Sequence, residues 1–113
     1  MKIIIYATHS FGTYEQLITY PEIVVLGLGT KWEGFIKKAK VIYNYLTTLP
    51  EYEIVSVIDG FDSYIKNTDG LENVFKQQKC KVLVSENNTW FNFPYIEKKY
   101  LGHVKIIKRQ IQD

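Results

Sequence analysis

Two carboxylates, those of Asp59 and Asp62, stand three residues apart just after an apolar segment at residues 54–58. Ligands of open α/β sheets bind beyond the carboxyl ends of the strands, so this pair occurs where a binding site is expected. Carboxylate oxygens suit a divalent cation such as Mn²⁺ or Mg²⁺, which in turn holds a phosphate. The segment Ile58-Asp59-Gly60-Phe61-Asp62 therefore indicates nucleotide-dependent transfer chemistry. The alternative is a plain Asp-Gly turn, since both residue types favour turns.

A second candidate is the turn Gly27-Leu28-Gly29, which follows an apolar run at residues 23–26 and precedes Trp32. Glycines at a strand end allow unusual φ angles and a close approach to a phosphate or ribose. Trp32 can stack on a base. The glycine spacing does not match the dinucleotide-binding fingerprint. The alternatives are a tight crossover and a tryptophan in the core.

Lysines and histidines elsewhere in the chain are weaker candidates for binding residues. Lys37, Lys38 and Lys40 stand near the start of a predicted helix, where backbone amides favour anions; a solvated helix face is the alternative. His9 and His103 are the only histidines, and their spacing pairs neither of them with the aspartates. We assign no catalytic residue.

Alternation of strands and helices predicts the fold class. Apolar runs predict strands at residues 3–7, 23–26, 53–58 and 81–85. Helical patterns predict three helices. The first is short and begins at a cap formed by Ser10 or Thr13, and the second spans residues 35–49. The third spans residues 71–78 and begins at a capping box of Asp69 and Glu72. In the long helix, the predicted core stripe is Ile36, Ala39, Tyr43 and Leu46, and Phe35 and Ile42 widen it. This order is typical of an α/β fold with a mostly parallel sheet flanked by helices. Residues 87–94 are predicted as an aromatic loop, 96–100 as a helical turn and 104–107 as an edge strand.

Length and charge predict one folded domain over residues 1–113. The chain has 113 residues, 46% of them hydrophobic, and a net charge of only +2. The basic residues near its end lack the density that nucleic-acid binding needs, so we expect no nucleic-acid partner. No signal peptide or membrane span is visible, so we expect no membrane partner and a cytoplasmic or virus-associated location.

Five segments together resemble the glycosyltransferase domain of the procollagen-lysine hydroxylase/glucosyltransferase family, including its viral and collagen-glycosyltransferase-like relatives. The matching segments are Ile4-Ile5-Tyr6-Ala7-Thr8, Val25-Leu26-Gly27-Leu28-Gly29 with Trp32, Lys38, the acidic segment at 58–62, and Val84-Ser85-Glu86. Their order and spacing resemble that family from about residue 2 to residue 100. The glycine-tryptophan turn combined with the acidic segment is the most specific part of the resemblance.

The resemblance implies a GT-A-like nucleotide-sugar fold. It implies that Asp59 and Asp62 bind Mn²⁺ and that UDP is held at the end of the first strand near Thr8. Trp32 and Phe61 would flank the uridine, and Lys38 would lie near the phosphates. The reaction of the family moves glucose or galactose from a UDP-sugar donor to a hydroxyl acceptor, such as a hydroxylysine-linked, collagen-like protein.

The resemblance covers the donor-binding half of such a domain only. The family continues into an acceptor half that opens with Leu-Asn/Gly-Ser-Gly-Gly, whereas Tyr100-Leu101-Gly102-His103-Val104 diverges from it. The alternative is therefore a truncated, catalytically inactive relative that serves as a binding or structural module. It would meet a partner, or itself, through an exposed sheet edge at residues 82–84. A flavodoxin-like or response-regulator-like domain is a weaker alternative.

Overall fold

The computed structural model describes residues 1–85 and 104–107 of the chain. Strands and helices follow one another in the order β1 (Lys2–Tyr6), α1 (Tyr14–Leu17), β2 (Ile23–Leu26), α2 (Phe35–Leu46), β3 (Val55–Val57), α3 (Leu71–Gln77), β4 (Val82–Ser85) and β5 (Val104–Ile107). The chain divides into two compact units, Met1–Thr68 and Asp69–Asp113. The predicted aromatic loop at 87–94, the predicted helical turn at 96–100 and His103 lie outside the described residues.

The first unit contains a parallel sheet with the strand order β2-β1-β3. Strand β1 is central, and its Ile4 is paired with Val24 of β2 and with Val57 of β3. Parallel neighbours need crossover connections, which here contain α1 and α2. The predicted α/β class with parallel strands is confirmed. Because β2 and β3 lie on opposite sides of β1, the carboxyl ends of β1 and β3 form the switch point where ligands bind in such sheets.

The core of the first unit forms between β1 and α1. Ile5, Ala7, Tyr14 and Leu17 are buried together, since alternate residues of β1 point to the face that α1 covers. Partly buried residues of the neighbouring strands and of the segment after β3 complete this cluster, namely Ile23, Val25, Ile58, Phe61 and Ile65. The core therefore connects α1 directly to the segment that carries the acidic residues.

Helix α2 turns a different face inward from the one that its sequence predicts. Two residues of the predicted core stripe are largely exposed, Ile36 at 75% and Tyr43 at 67%. The half-buried residues of this helix are Lys38, Val41, Ile42, Tyr45 and Leu46. The prediction is wrong for Ile36, Ala39 and Tyr43, whereas Ile42 and Leu46 face inward as predicted. Apolar residues occupy two faces of α2, and periodicity alone does not tell which face packs inward.

The second unit contains α3 and a two-stranded parallel sheet of β4 and β5. The pattern predicts residues 81–85 as the fourth strand of one sheet, whereas β4 belongs to a separate sheet and pairs with β5. The predicted capping box is also wrong: the residue that precedes α3 is Gly70, with a φ of 74° and no side-chain cap. None of the three helices in the described residues has the length and apolar character needed to cross a membrane.

Candidate functional site

The acidic segment forms a tight turn after β3. Oδ1 of Asp59 accepts hydrogen bonds from the backbone N–H of Phe61 at 2.7 Å and of Asp62 at 3.3 Å. Short acidic side chains favour this geometry, in which the side chain replaces a backbone acceptor. The Asp-Gly turn that the sequence offers as an alternative therefore forms. It leaves the side chains of Asp59 and Asp62 exposed to solvent, so a turn and a ligand site are compatible here.

Close packing holds this turn against the end of β1. Gly60 is buried, and a β-carbon built on it would lie 3.0 Å from the carbonyl oxygen of Tyr6 and 3.4 Å from Cβ of Ala7. On the other side, the backbone N–H of Thr13 donates to the carbonyl oxygen of Phe61 at 2.8 Å. The end of β1 and the start of α1 therefore fix the backbone of the turn that carries Asp59 and Asp62.

The carboxylate of Asp59 stays ionised to a lower pH than an ordinary aspartate side chain does. Partial burial alone would raise the pKa of Asp59. Hydrogen bonds from the backbone N–H groups of Phe61 and Asp62 lower this pKa, and so do a hydrogen bond to the Asp62 side chain and the positive charge of Lys38. The lowering effects outweigh the effect of burial. The pKa of Asp59 consequently lies below its ordinary value. Lys38 is therefore close enough for its positive charge to act on the carboxylate of Asp59.

Thr8 lies immediately beyond β1, next to the acidic turn in this sheet. Its carbonyl oxygen accepts a hydrogen bond from the N–H of Gly29 at 3.0 Å, which ties the end of β1 to the glycine turn that follows β2. Its hydroxyl lies 2.9 Å from Nδ1 of His9. Thr8 is half-buried and His9 is exposed. The three strand ends thus contribute the polar groups of one edge.

Trp32 lies on the surface next to the end of β1. Its ring packs edge-on against Tyr6 at a centroid distance of 6.1 Å and against Phe35 at 5.2 Å. A β-carbon on Gly27 would come within 2.7 Å of the Tyr6 ring, so this glycine lets the ring of Tyr6 lie beneath the turn. Trp32 remains 46% exposed. It is therefore accessible to a ligand, and the predicted alternative of a core tryptophan is wrong.

Phe61 belongs to a separate group of three rings on the acidic turn. Its ring lies 5.4 Å from that of His9 and 5.6 Å from that of Phe11, measured between centroids. Phe61 is half-buried, whereas Phe11 is 64% exposed. The candidate site consequently has aromatic groups on the first and third strand ends as well as at Trp32.

The donor groups fit a divalent cation that also binds a diphosphate. Asp59 and Asp62 could supply hard oxygen ligands, and the lowered pKa of Asp59 favours its ionised form. The described residues contain no cluster of three or more His, Cys, Asp or Glu side chains able to hold a metal ion. Two carboxylates suffice where phosphate oxygens and water complete the coordination shell, as is common for Mg²⁺.

Sequence reasoning missed the residues that hold this arrangement together. Tyr6 supports both Trp32 and the glycine turn, and Gly60 allows the acidic turn to lie against β1. The rings of His9 and Phe11 pack against the ring of Phe61. The placement of Tyr6 as the last residue of an apolar strand was the available signal, but its contacts depend on long-range packing.

Comparison of this chain with family models, with curated proteins and with solved structures finds no match.

Proposed function

We propose that this chain binds a UDP-sugar together with Mn²⁺ or Mg²⁺ at the edge formed by the ends of β1, β2 and β3. The supporting observation is that Asp59 and Asp62 lie on one turn at the β1/β3 switch point, where the positive charge of Lys38 on α2 acts on Asp59. Two carboxylates for a cation and one lysine for phosphate are complementary to a nucleoside diphosphate with its metal ion.

The proposal also rests on the sequence resemblance to the glycosyltransferase domain of the procollagen-lysine hydroxylase/glucosyltransferase family. It extends to a GT-A-like fold and to transfer of a hexose to a hydroxyl acceptor such as a collagen-like protein. The exposed ring of Trp32 and the half-buried ring of Phe61 support binding of uridine, because aromatic side chains stack on bases. Thr8 adds a hydroxyl, which lies 2.9 Å from Nδ1 of His9, just after β1.

In this proposal Asp59 and Asp62 hold the cation, and Lys38 binds phosphate oxygens. The bound cation would neutralise negative charge on the departing diphosphate. The protein contributes orientation: the packing of Gly60 on β1 fixes the backbone that carries Asp59 and Asp62, and the contact of Trp32 with Tyr6 restricts the indole ring. Restricted groups lose little entropy when the donor binds.

Calorimetric titration of the chain with UDP, with and without Mn²⁺, tests the proposal. We expect saturable binding that is at least about tenfold tighter with Mn²⁺, which corresponds to about 1.4 kcal/mol. ADP serves as the control for base recognition and should bind more weakly. Absence of UDP binding at millimolar ligand, with Mn²⁺ present and the protein folded, contradicts the proposal.

The second candidate is a binding or structural module without catalysis. It is favoured by the exposure of Val82 at 47% and Val84 at 43% on β4, since exposed strands pair with other chains. The substitution Val84→Lys should then abolish self-association or partner capture and leave UDP binding unchanged. A monomeric wild-type chain that binds UDP tightly counts against this candidate.

A further inference from the structure

The outward face of α2 is apolar although the opposite face of the same helix already packs inward. Ile36, Ala39 and Tyr43 share this outward face at helical spacings of three and four residues. Ile36 is 75% and Tyr43 is 67% exposed, and Phe35 beside them is 77% exposed. We call Ile36, Ala39 and Tyr43, with Lys37 and Lys40 beside them, the α2 outer face; Phe35 packs against Trp32 and is not part of it.

The α2 outer face lacks an explanation in the fold of the first unit. A helix with apolar residues on both faces is normally covered on both, whereas here only the face with Val41, Ile42 and Tyr45 is half-buried. The proposed nucleotide site does not use the outer face, because Lys38 lies on the half-buried side. A contiguous exposed apolar surface of this kind marks an interaction site.

The charges around the α2 outer face favour an anionic partner. Helix α2 carries Lys37, Lys38 and Lys40 and no acidic residue. Lysines at the amino end of a helix oppose its dipole, so they destabilise the isolated helix slightly. Lys37 and Lys40 are exposed and form no ion pair within the described part of the chain. Two copies of this face would bring lysines against lysines, which disfavours self-association through it.

We propose that the α2 outer face docks on an anionic membrane surface. Aromatic and aliphatic side chains beside lysines on one exposed helix face are the pattern of helices that lie in the plane of the lipid interface. Ile36 and Tyr43 would enter the headgroup region, while Lys37 and Lys40 would contact acidic headgroups. A protein partner would need an acidic groove to enclose this convex face, whereas a lipid surface adapts to it. The sequence pattern alone did not indicate this contact, because it assigned Ile36 and Tyr43 to the core.

Vesicle flotation of the full chain tests this contact. We expect the chain to float with phosphatidylcholine vesicles that contain about 30% phosphatidylserine and to remain unbound with phosphatidylcholine alone. The double variant Lys37→Glu/Lys40→Glu should weaken binding at least about tenfold, because each lysine near an anionic surface contributes about 1 kcal/mol. The double variant Ile36→Ser/Tyr43→Ser should weaken it comparably, since it removes the apolar anchors.

Two exposed residues away from this face provide matched controls. Tyr52→Ser removes an aromatic side chain that is 84% exposed, and Lys66→Glu reverses an exposed charge; neither should change flotation. UDP binding should be unchanged in all four variants, so this proposal and the nucleotide proposal can fail separately. Three results overturn the membrane proposal: no flotation of the wild-type chain, equal flotation with neutral vesicles, or equal loss in the control variants.

Discussion

The backbone N–H of Phe61 donates a hydrogen bond of 2.7 Å to Oδ1 of Asp59, so the side chain proposed to bind a cation also shapes its own turn. A carboxylate oxygen has more than one acceptor position, and the two roles therefore do not exclude each other. The consequence is experimental: removing the side chain of Asp59 changes the turn and the charge together. Substitutions must separate these two effects.

Asp59→Asn and Asp59→Ala make this separation. Asparagine retains an oxygen that can accept the N–H groups of Phe61 and Asp62, whereas alanine does not. We expect Asp59→Ala to lower the free energy of unfolding by about 1 kcal/mol and Asp59→Asn to lower it by less. Both should abolish the effect of Mn²⁺ on UDP affinity. Urea denaturation and calorimetric titration measure the two quantities.

Asp62→Asn is the matched control for these variants. Within the described residues no backbone hydrogen bond to the Asp62 side chain is found, whereas Oδ1 of Asp59 accepts two, so Asp62→Asn should destabilise the fold less than Asp59→Ala. Its response to Mn²⁺ should nevertheless be lost. If Mn²⁺ still tightened UDP binding fully in both asparagine variants, the assignment of Asp59 and Asp62 as metal ligands would be wrong.

The lowered pKa of Asp59 predicts how its contribution depends on pH. A group whose pKa is lower in the folded than in the unfolded state stabilises the fold above its unfolded pKa, which is about 3.9 for aspartate. That contribution is lost as the pH falls below this value through the folded-state pKa. The stability difference between the wild type and Asp59→Ala should therefore be constant near neutral pH and shrink in acid. Urea denaturation between about pH 7 and pH 3 measures it; a difference that grows in acid has the wrong sign.

Gly12→Ala tests the packing of the acidic turn on the start of α1. Gly12 has a φ of +58°, and a β-carbon there would overlap the carbonyl oxygen of Phe61. We expect the substitution to lower the free energy of unfolding by about 2 kcal/mol or more, because backbone must move. The control is Gly29→Ala, where φ is +82° but nothing lies within 4 Å, so that only the conformational cost of about 1 kcal/mol applies. Equal destabilisation in the two variants would show that the contact with Phe61 is absent.

Trp32→Leu tests the aromatic part of the proposed site. Stacking of one base on an aromatic side chain stabilises by about 1–3 kcal/mol, so UDP affinity should fall by about fivefold to 150-fold. Stability should change little, since the indole ring of Trp32 is 46% exposed. Tyr52→Leu changes a more exposed ring and should leave UDP affinity unchanged. An unchanged affinity in Trp32→Leu would exclude stacking at this residue.

Local sequence patterns predicted where the strands and helices of this chain lie better than they predicted how those strands and helices pack together. The bounds of β2 and β5 agree with the predicted strands at 23–26 and 104–107, and α2 begins at the predicted residue 35. The inward face of α2 could not be predicted, because Ile36 and Ile42 lie on different faces and both are apolar. The partner of β4 could not be predicted either, since an apolar strand does not encode which neighbour it pairs with.

The same limit applies to the candidate site. Position after an apolar strand correctly placed Asp59 and Asp62 just beyond β3. The approach of Lys38 to Asp59 and the contact of Gly60 with Tyr6 depend on the strand order β2-β1-β3. That order arises from long-range pairing, which short windows of sequence do not contain.

The central position of β1 has a consequence for synthesis on the ribosome. Ile3, Ile4 and Ile5 are translated before both strands that flank them, and β3 ends at Val57. At ordinary translation rates of about 5–20 residues per second, roughly 3–10 s pass between the synthesis of this isoleucine segment and the completion of β3, the second strand that pairs with it. During this interval it is a target for chaperones and a starting point for aggregation, so slow translation of the first half of the chain should lower the soluble yield.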